Sequence, residues 1–396
     1  PVVWLSQAST SRECMNTTTR IAVVGSTGSI GRQTLDVARS HRDRLDVVAL
    51  AANRSRDVFS RQVAELRPKT ACLAGDLEWE APHPTRTVRG AEGLVEMVTG
   101  PDVDLVVFAS SGHAGFRPLL AAIAAGKRVA LANKEALVMA GELVLAAAAA
   151  AGTTIRPVDS EHSAIWQCLE GERHNTVRSL ILTASGGPFR EWSVERLRSA
   201  TVADALRHPT WSMGSKITVD SATLMNKGLE LIEAHWLFGV PYDRIDVVVH
   251  PQSIVHSLVA FRDGAIKAQL GTADMRTPIQ YALSWPDRWE VCDGGQLDLA
   301  ELGTLQFERP DVERFPCLRL ARQAGEAGGT YPTALCAADE VAVASVLEGS
   351  APFSSITRTV DAVLQRHSNC VAPTLDDILA ADRWARDAAE TALAHA

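Results

Sequence analysis

Several things are missing from this chain, and each absence excludes a class of protein. Its seven cysteines are scattered and form no Cys-x-x-Cys pair. Neither a zinc site nor a disulfide framework is indicated, and a reducing cytoplasm fits. Long hydrophobic runs are lacking too. The longest low-polarity stretch, 143–152, is mostly alanine and about half of what a membrane span needs. Nor is there a basic excess: 39 Lys and Arg against 47 Asp and Glu leave a formal charge of −8. Without a basic face, binding to nucleic acid is not expected, and an anionic ligand must be held by a few local cations. The first nineteen residues lack the apolar core and cleavage site of a secretory signal, so 1–19 read as a poorly ordered extension, with Met15 a candidate start. There are no internal repeats.

What is present suits a multi-domain globular protein. At 396 residues the chain is too long for one ordinary core, so two or three domains are expected. The first is read over 20–159. An apolar strand at 20–24 runs into Gly25-Ser26-Thr27-Gly28-Ser29-Ile30-Gly31 and then a helix over 32–40. A glycine loop between strand and helix lets backbone approach a pyrophosphate at the helix N terminus. Alone such a loop is weak evidence, since a plain tight turn also produces it. Further strands are read at 46–51, 104–109, 128–132 and 154–158, with helices over 116–125 and 141–151. This alternation predicts a doubly wound, Rossmann-like parallel sheet. The second strand ends in Asn53-Arg54-Ser55, with arginine where an NAD-specific fold carries an acid. Arginine suits a 2′-phosphate and points to NADPH, unless Arg54 is simply a solvated surface residue.

From residue 160 the pattern changes. Strands at 179–184, 245–250, 254–261 and 265–270, the last two joined through Asp263-Gly264, predict an α+β domain over 160–284 with a largely antiparallel sheet. Residues 285–310 read as a linker. Alanine-rich amphipathic segments in 311–396 predict a C-terminal helical bundle.

Asp159 and Glu161 stand two apart after the stretch 155–158. On an extended segment they share one side, and paired oxygen ligands suit Mg²⁺ or Mn²⁺. A helix from Asn226 places Asn226, Glu230 and Glu233 on one face, either a solvated face or the source of a third carboxylate, Glu230. Ser185-Gly186-Gly187-Pro188 reads as a backbone-rich anion pocket, with Ser221 and Lys227 as further candidates for a phosphate. The loop from His208 to Gly214 reads as a flap in which Trp211 and Met213 exclude water, although a lone histidine or tryptophan is usually just packed. Lys134, between Asn133 and Glu135, stands at the C-terminal end of a strand, where open α/β sheets bind ligands.

Seven segments carry a resemblance. They are 25–31, Leu-Ala-Asn-Lys-Glu at 131–135, Pro-Val-Asp-Ser-Glu-His at 157–162, Ser-Gly-Gly-Pro-Phe-Arg at 185–190, the flap at 208–214, Asn-Lys-Gly-Leu-Glu at 226–230 and His-Pro-Gln-Ser at 250–253. In this order they resemble the 1-deoxy-D-xylulose 5-phosphate reductoisomerases, from about residue 20 to the C terminus. The resemblance implies an NADPH- and divalent-metal-dependent homodimeric enzyme of the non-mevalonate isoprenoid pathway. Such an enzyme turns a phosphorylated keto-sugar into 2-C-methyl-D-erythritol 4-phosphate by retro-aldol/aldol rearrangement and hydride reduction. It implies Asp159, Glu161 and Glu230 as metal ligands. Ser160, Ser185, His208, Ser221, Asn226, Lys227, Lys134, Glu161 and Glu230 would meet substrate, with Lys134, Glu161, Glu230, Lys227 and His208 catalytic. Thr27, Gly28, Ser29, Ile30, Asn53, Arg54, Ser55, Asn133, Glu135 and Gly214 would contact NADPH. Two positions depart from the pattern: Asn53, where relatives often have glycine and where asparagine tolerates left-handed backbone, and His113, which replaces a small residue. From the residues alone, a plain NADP-dependent dehydrogenase or a non-catalytic NADP-binding module remains open.

Overall fold

The structure, a computed structural model, describes residues 18–76, 78–110, 112, 115–211, 213–290 and 296–394. The 1–17 segment and His113 lie outside the described residues. The chain forms two compact units. The first takes the chain up to Ala136, then Val144–Trp166, then the segment from Asp274; the second takes Leu137–Leu143, Gln167–Ala273 and the C-terminal part.

The first unit is built on seven strands: β1 (Thr19–Val24), β2 (Leu45–Ala52), β3 (Thr70–Leu73), β4 (Arg86–Thr87), β5 (Leu105–Phe108), β6 (Arg128–Leu131) and β7 (Ile155–Pro157). Their order is β4-β3-β2-β1-β5-β6-β7, and every pairing is parallel. The predicted doubly wound sheet is therefore present. Its strands are apolar runs rather than alternating ones because helices cover both faces; Ile21–Val23 and Leu105–Val107 are completely buried. Strand order reverses between β1 and β5, which is the ligand crevice of an open α/β sheet. The short β3 and β4 carry too little periodicity to be read from sequence. Helix Arg276–Ser284 also belongs to this unit. Arg156 on β7 donates to the Ala282 carbonyl (2.7 Å), His41 Nε2 meets Gln280 Oε1 (3.0 Å), and Trp166 packs on Tyr281.

The second unit contains β8 (Val177–Ala184), β9 (Ile245–Val249), β10 (Val255–Phe261) and β11 (Ile266–Leu270), in the order β11-β10-β8-β9. The β10–β11 hairpin turns at Asp263-Gly264 as expected, with Gly264 at φ 93°. The sheet is largely antiparallel as expected, with β11–β10 and β10–β8 antiparallel, and only its last pairing departs: β9 runs parallel to β8. The crossover that parallel pairing requires is helical: short helices Val194–Leu197 and Val202–Ala205 precede the longer Ser215–Thr223 and Met225–Phe238. The C-terminal helices Cys317–Ala327, Tyr331–Leu347, Ser355–Arg366 and Leu375–Ala394 match the expected bundle. Val219, Ala222 and Leu224 from the crossover join Phe189, Ala342, Val343, Val346 and Ile356 in one core. Among the described residues no helix is long and apolar enough to cross a membrane.

Candidate active site

Each unit carries its own set of functional side chains. In the first, β1 leads into the glycine loop at the switch point, and the loop is fixed by its own backbone. Gly25 and Ser26 donate to the Ala51 carbonyl, and Gly28 N–H donates to the Gly25 carbonyl at 3.1 Å. Buried Ser26 and Gln62 exchange two hydrogen bonds. The three glycines are not equivalent. At Gly25 (φ 88°) a Cβ would lie 2.7 Å from the Ala109 backbone, and at Gly31 it would lie 2.2 Å from the Gly25 carbonyl oxygen. At Gly28 the nearest atom is an ordinary 3.4 Å away, and the residue is exposed beside exposed Ser29. Gly25 and Gly31 therefore shape the loop, whereas Gly28 leaves a bare backbone at a helix N terminus. That cradle fits a dinucleotide pyrophosphate. Asn53, Arg54 and Ser55 are exposed at the end of β2. Asn53 does not use left-handed backbone; its carbonyl instead accepts from the Gly75 amide (3.0 Å).

At the end of β6, Asn133 caps helix Lys134–Ala151 by accepting from Ala136 N–H, and its amide reaches the Gly112 carbonyl. Lys134 then points to β7, where its ammonium lies 2.8 Å from Asp159 Oδ2. Glu135 is buried beside it. The expectation that Asp159 and Glu161 share an extended segment is corrected: β7 ends at Pro157, and helix Ser160–Leu169 begins at once, so Glu161 lies in its first turn. The turn forms because Asp159 starts the helix: its carbonyl accepts from Ser163 N–H, and its carboxylate accepts from Ser160 N–H. Ser160 Oγ donates to Glu161 Oε2 at 2.6 Å. Fully buried His162 stands 3.9 Å behind Asp159, a neighbour its i+3 spacing announces but to which sequence reasoning gave no role.

In the second unit, Ser185 follows β8. Its Oγ accepts from Gly187 N–H (3.2 Å) and lies 2.9 Å from His208 Nε2, which is also 3.2 Å from Ser221 Oγ. Gly186 and Gly187 have positive φ, and a Cβ on them would strike Arg190 and the Ser221 carbonyl. Backbone N–H groups of Thr210 and Trp211 donate to His208 Nδ1 (3.2 and 2.9 Å). With Nδ1 accepting, neutral His208 carries its proton on Nε2 and donates it to a serine. Burial lowers the His208 pKa to about 4, so the ring is neutral at physiological pH. Both serine hydroxyls are then left as donors, a suitable lining for a phosphate.

The neighbouring helix Met225–Phe238 presents Asn226, Lys227 and Glu230 together. Asn226 Nδ2 donates to Glu230 Oε1 and the Lys227 ammonium to Oε2, each at 2.5 Å. Lys227, Glu230 and Glu233 are buried, which excludes the solvated-face reading of this helix. Leu224, which joins this helix to Ser215–Thr223, sits at φ 59° in the left-handed region. A leucine there is strained, and it is held by its place in the apolar core. Gly214 caps the start of helix Ser215–Thr223. Trp211, in the flap, lies 6.0 Å from the His256 ring on β10, and Thr210 Oγ1 meets Ser253 Oγ (3.4 Å). Met213 is half-buried beside it. Sequence reading gave His256 and Ser253 no role, although the His-Pro-Gln-Ser segment leads directly to them.

The expected nucleotide contacts thus stand in the first unit except Gly214. Asp159, Ser160, Glu161 and Lys134 stand there as well. The remaining substrate residues and Glu230 stand in the second unit. The chemistry of the donor set fits a hard divalent cation: carboxylate oxygens, with a lysine ammonium against Asp159 in one unit and against Glu230 in the other.

Comparison with known proteins bears on the whole chain. Residues 21–141 match the family model 1-deoxy-D-xylulose 5-phosphate reductoisomerase, and 155–238 match its C-terminal domain model. Residues 270–388 match the model DXP reductoisomerase C-terminal domain. The 1-deoxy-D-xylulose 5-phosphate reductoisomerase of Thermomicrobium roseum is 54% identical over 93% of this chain and 96% of its own. That of Chlorobium chlorochromatii is 52% identical over 94% and 99%. The Zymomonas mobilis enzyme in complex with NADPH superposes with a TM-score of 0.86 at 41% identity, covering 95% of this chain and 99% of that one. A DOX-P reductoisomerase in complex with NADPH, fosmidomycin and magnesium gives 0.88 at 40% identity, covering 95% and 98%.

Proposed function

This chain belongs to the 1-deoxy-D-xylulose 5-phosphate reductoisomerase family, and we propose that its residues divide that activity as follows. The enzyme converts 1-deoxy-D-xylulose 5-phosphate to 2-C-methyl-D-erythritol 4-phosphate with NADPH and a divalent cation. The observation that carries the substrate assignment is the Ser185–His208–Ser221 arrangement, whose neutral histidine leaves two hydroxyl donors for a phosphate. Lys227 adds the point charge and Asn226 a further donor. Holding the phosphate, remote from the reacting carbons, positions the substrate and favours closure of the flap bearing Trp211 and Met213.

Asp159, Glu161 and Glu230 would hold the cation, which would supply Lewis-acid chemistry for the rearrangement. NADPH, when bound, would supply the hydride. Thr27, Gly28, Ser29 and Ile30 bind its pyrophosphate, and Asn53, Arg54 and Ser55 its ribose 2′-phosphate. Asn133, Glu135 and Gly214 contact its remainder. Lys134 and Ser160 orient the reacting end of the substrate, Lys134 from its present place on Asp159. The enzyme works as a homodimer in a reducing cytoplasm, a setting that suits Cys72, Cys168, Cys317, Cys336 and Cys370, all free thiols.

The test follows NADPH absorbance with 1-deoxy-D-xylulose 5-phosphate, with Mg²⁺ or Mn²⁺ and then with chelator. Oxidation that needs both substrate and metal and yields methylerythritol phosphate is the expected result. NADPH that binds but is never oxidised would sink the assignment.

A further inference from the structure

We propose that Asp339, on helix Tyr331–Leu347 of the C-terminal bundle, is a positioning residue for the substrate-phosphate pocket and acts through Lys216. The proposal rests on the assignment of Ser185, His208 and Ser221 to that phosphate.

Lys216 is the second residue of helix Ser215–Thr223. Its ammonium lies 2.7 Å from Asp220 Oδ2, one turn further along the same helix, and 2.8 Å from Asp339 Oδ2. Both carboxylates are shut off from solvent, at 1% and 0% exposure, whereas the lysine is partly exposed. Two buried carboxylates thus converge on one ammonium. Removing the cation takes a charge partner from both buried carboxylates, while apolar side chains in the same volume can pack as stably as an ion pair. Stability alone therefore does not account for the bridge. Its location does.

Val219 and Ala222 of the helix are already seated in the core with Ala342, Val343 and Val346. This packing seats one face of the helix, and the Lys216 ion pair adds a second tie, holding the first turn to helix Tyr331–Leu347. Ser221 immediately follows Asp220, and its hydroxyl must stay 3.2 Å from His208 Nε2, which is 2.9 Å from Ser185. A rotation of the helix by one residue, about 100°, swings Ser221 out of the pocket. The same helix begins where the flap ends, at Gly214. One contact from the C-terminal bundle therefore fixes both the Ser221 hydroxyl and the hinge of the flap.

The experiment uses the full chain with NADPH and Mg²⁺ and compares Asp339→Asn, Lys216→Met and Lys216→Arg. Asp339→Asn and Lys216→Met should raise the KM for 1-deoxy-D-xylulose 5-phosphate about tenfold, with kcat within about twofold. NADPH affinity, read by fluorescence titration, should be unchanged. Lys216→Arg keeps a cation within reach of both carboxylates and should restore the KM. An unchanged KM in both Asp339→Asn and Lys216→Met overturns the proposal. So does a joint fall of kcat, NADPH affinity and Tm, which would mark the bridge as merely structural. If Lys216→Met fails to fold, Asp339→Asn and Lys216→Arg decide the question by the same readouts. A wild type that does not turn the substrate over overturns the functional reading itself, a result distinct from an active wild type with unmoved variants.

Discussion

His208 is held neutral by burial, with a pKa near 4 in the folded protein against about 6.5 in an unfolded chain. Between those values the unfolded state binds more protons, so stability rises with pH across this window. The contribution is complete above about pH 6.5 and is lost as pH falls toward 4. The urea midpoint of the wild type should drop between pH 7 and pH 5, and His208→Asn should flatten that drop. It should not abolish it, because burial also lowers the pKa of His235 and His367. An equally steep drop in His208→Asn would show that the ring is not the group responsible. Glu230 makes a second test at this scale. Glu230→Gln removes a proposed cation ligand and the partner of the Lys227 ammonium, so activity should fall about 100-fold or more. NADPH titration should be unaffected, since the glycine loop is untouched. Retained turnover with saturating Mn²⁺ would remove Glu230 from the ligand set.

Among the elements, the glycine loop makes the clearest prediction. Gly31→Ala drives a methyl into the Gly25 carbonyl and should lower Tm and abolish NADPH binding together. Gly28→Ala meets nothing closer than 3.4 Å, so its Tm should stay near wild type while NADPH affinity falls about tenfold or more. Equal effects of the two variants on Tm would contradict this division of roles. The loop was readable in sequence because strand, glycine spacing and helix are local signals. The hairpin at Asp263-Gly264 and the four C-terminal helices were readable for the same reason. What sequence concealed depends on contacts far apart in the chain. The parallel β8–β9 pairing joins segments separated by a long helical crossover, and no periodicity announces its direction. Asp159 and Glu161 looked extended because the apolar run before them is a strand, yet the Asp159 carbonyl and carboxylate start a helix two residues after β7 ends. Their proximity survived the wrong local geometry, since neighbours in sequence stay neighbours on either backbone. The role of Asp339 was invisible for the opposite reason: 123 residues separate it from Lys216.

For the whole molecule, the proposed homodimer predicts a sedimentation mass of about twice 42.5 kDa; a single 42.5 kDa species at assay concentrations would refute it. Helix Arg276–Ser284 has a further consequence. It packs in the first unit, holding Arg156 through the Ala282 carbonyl and His41 through Gln280. A ribosome that has released the chain through Trp166 has therefore not yet supplied all of the nucleotide-binding unit. More than a hundred residues of the second unit must be made first, roughly 5 to 20 s at ordinary rates of synthesis. During that interval the seven-stranded sheet waits, with the buried guanidinium of Arg156 lacking its acceptor, for a helix still to be translated.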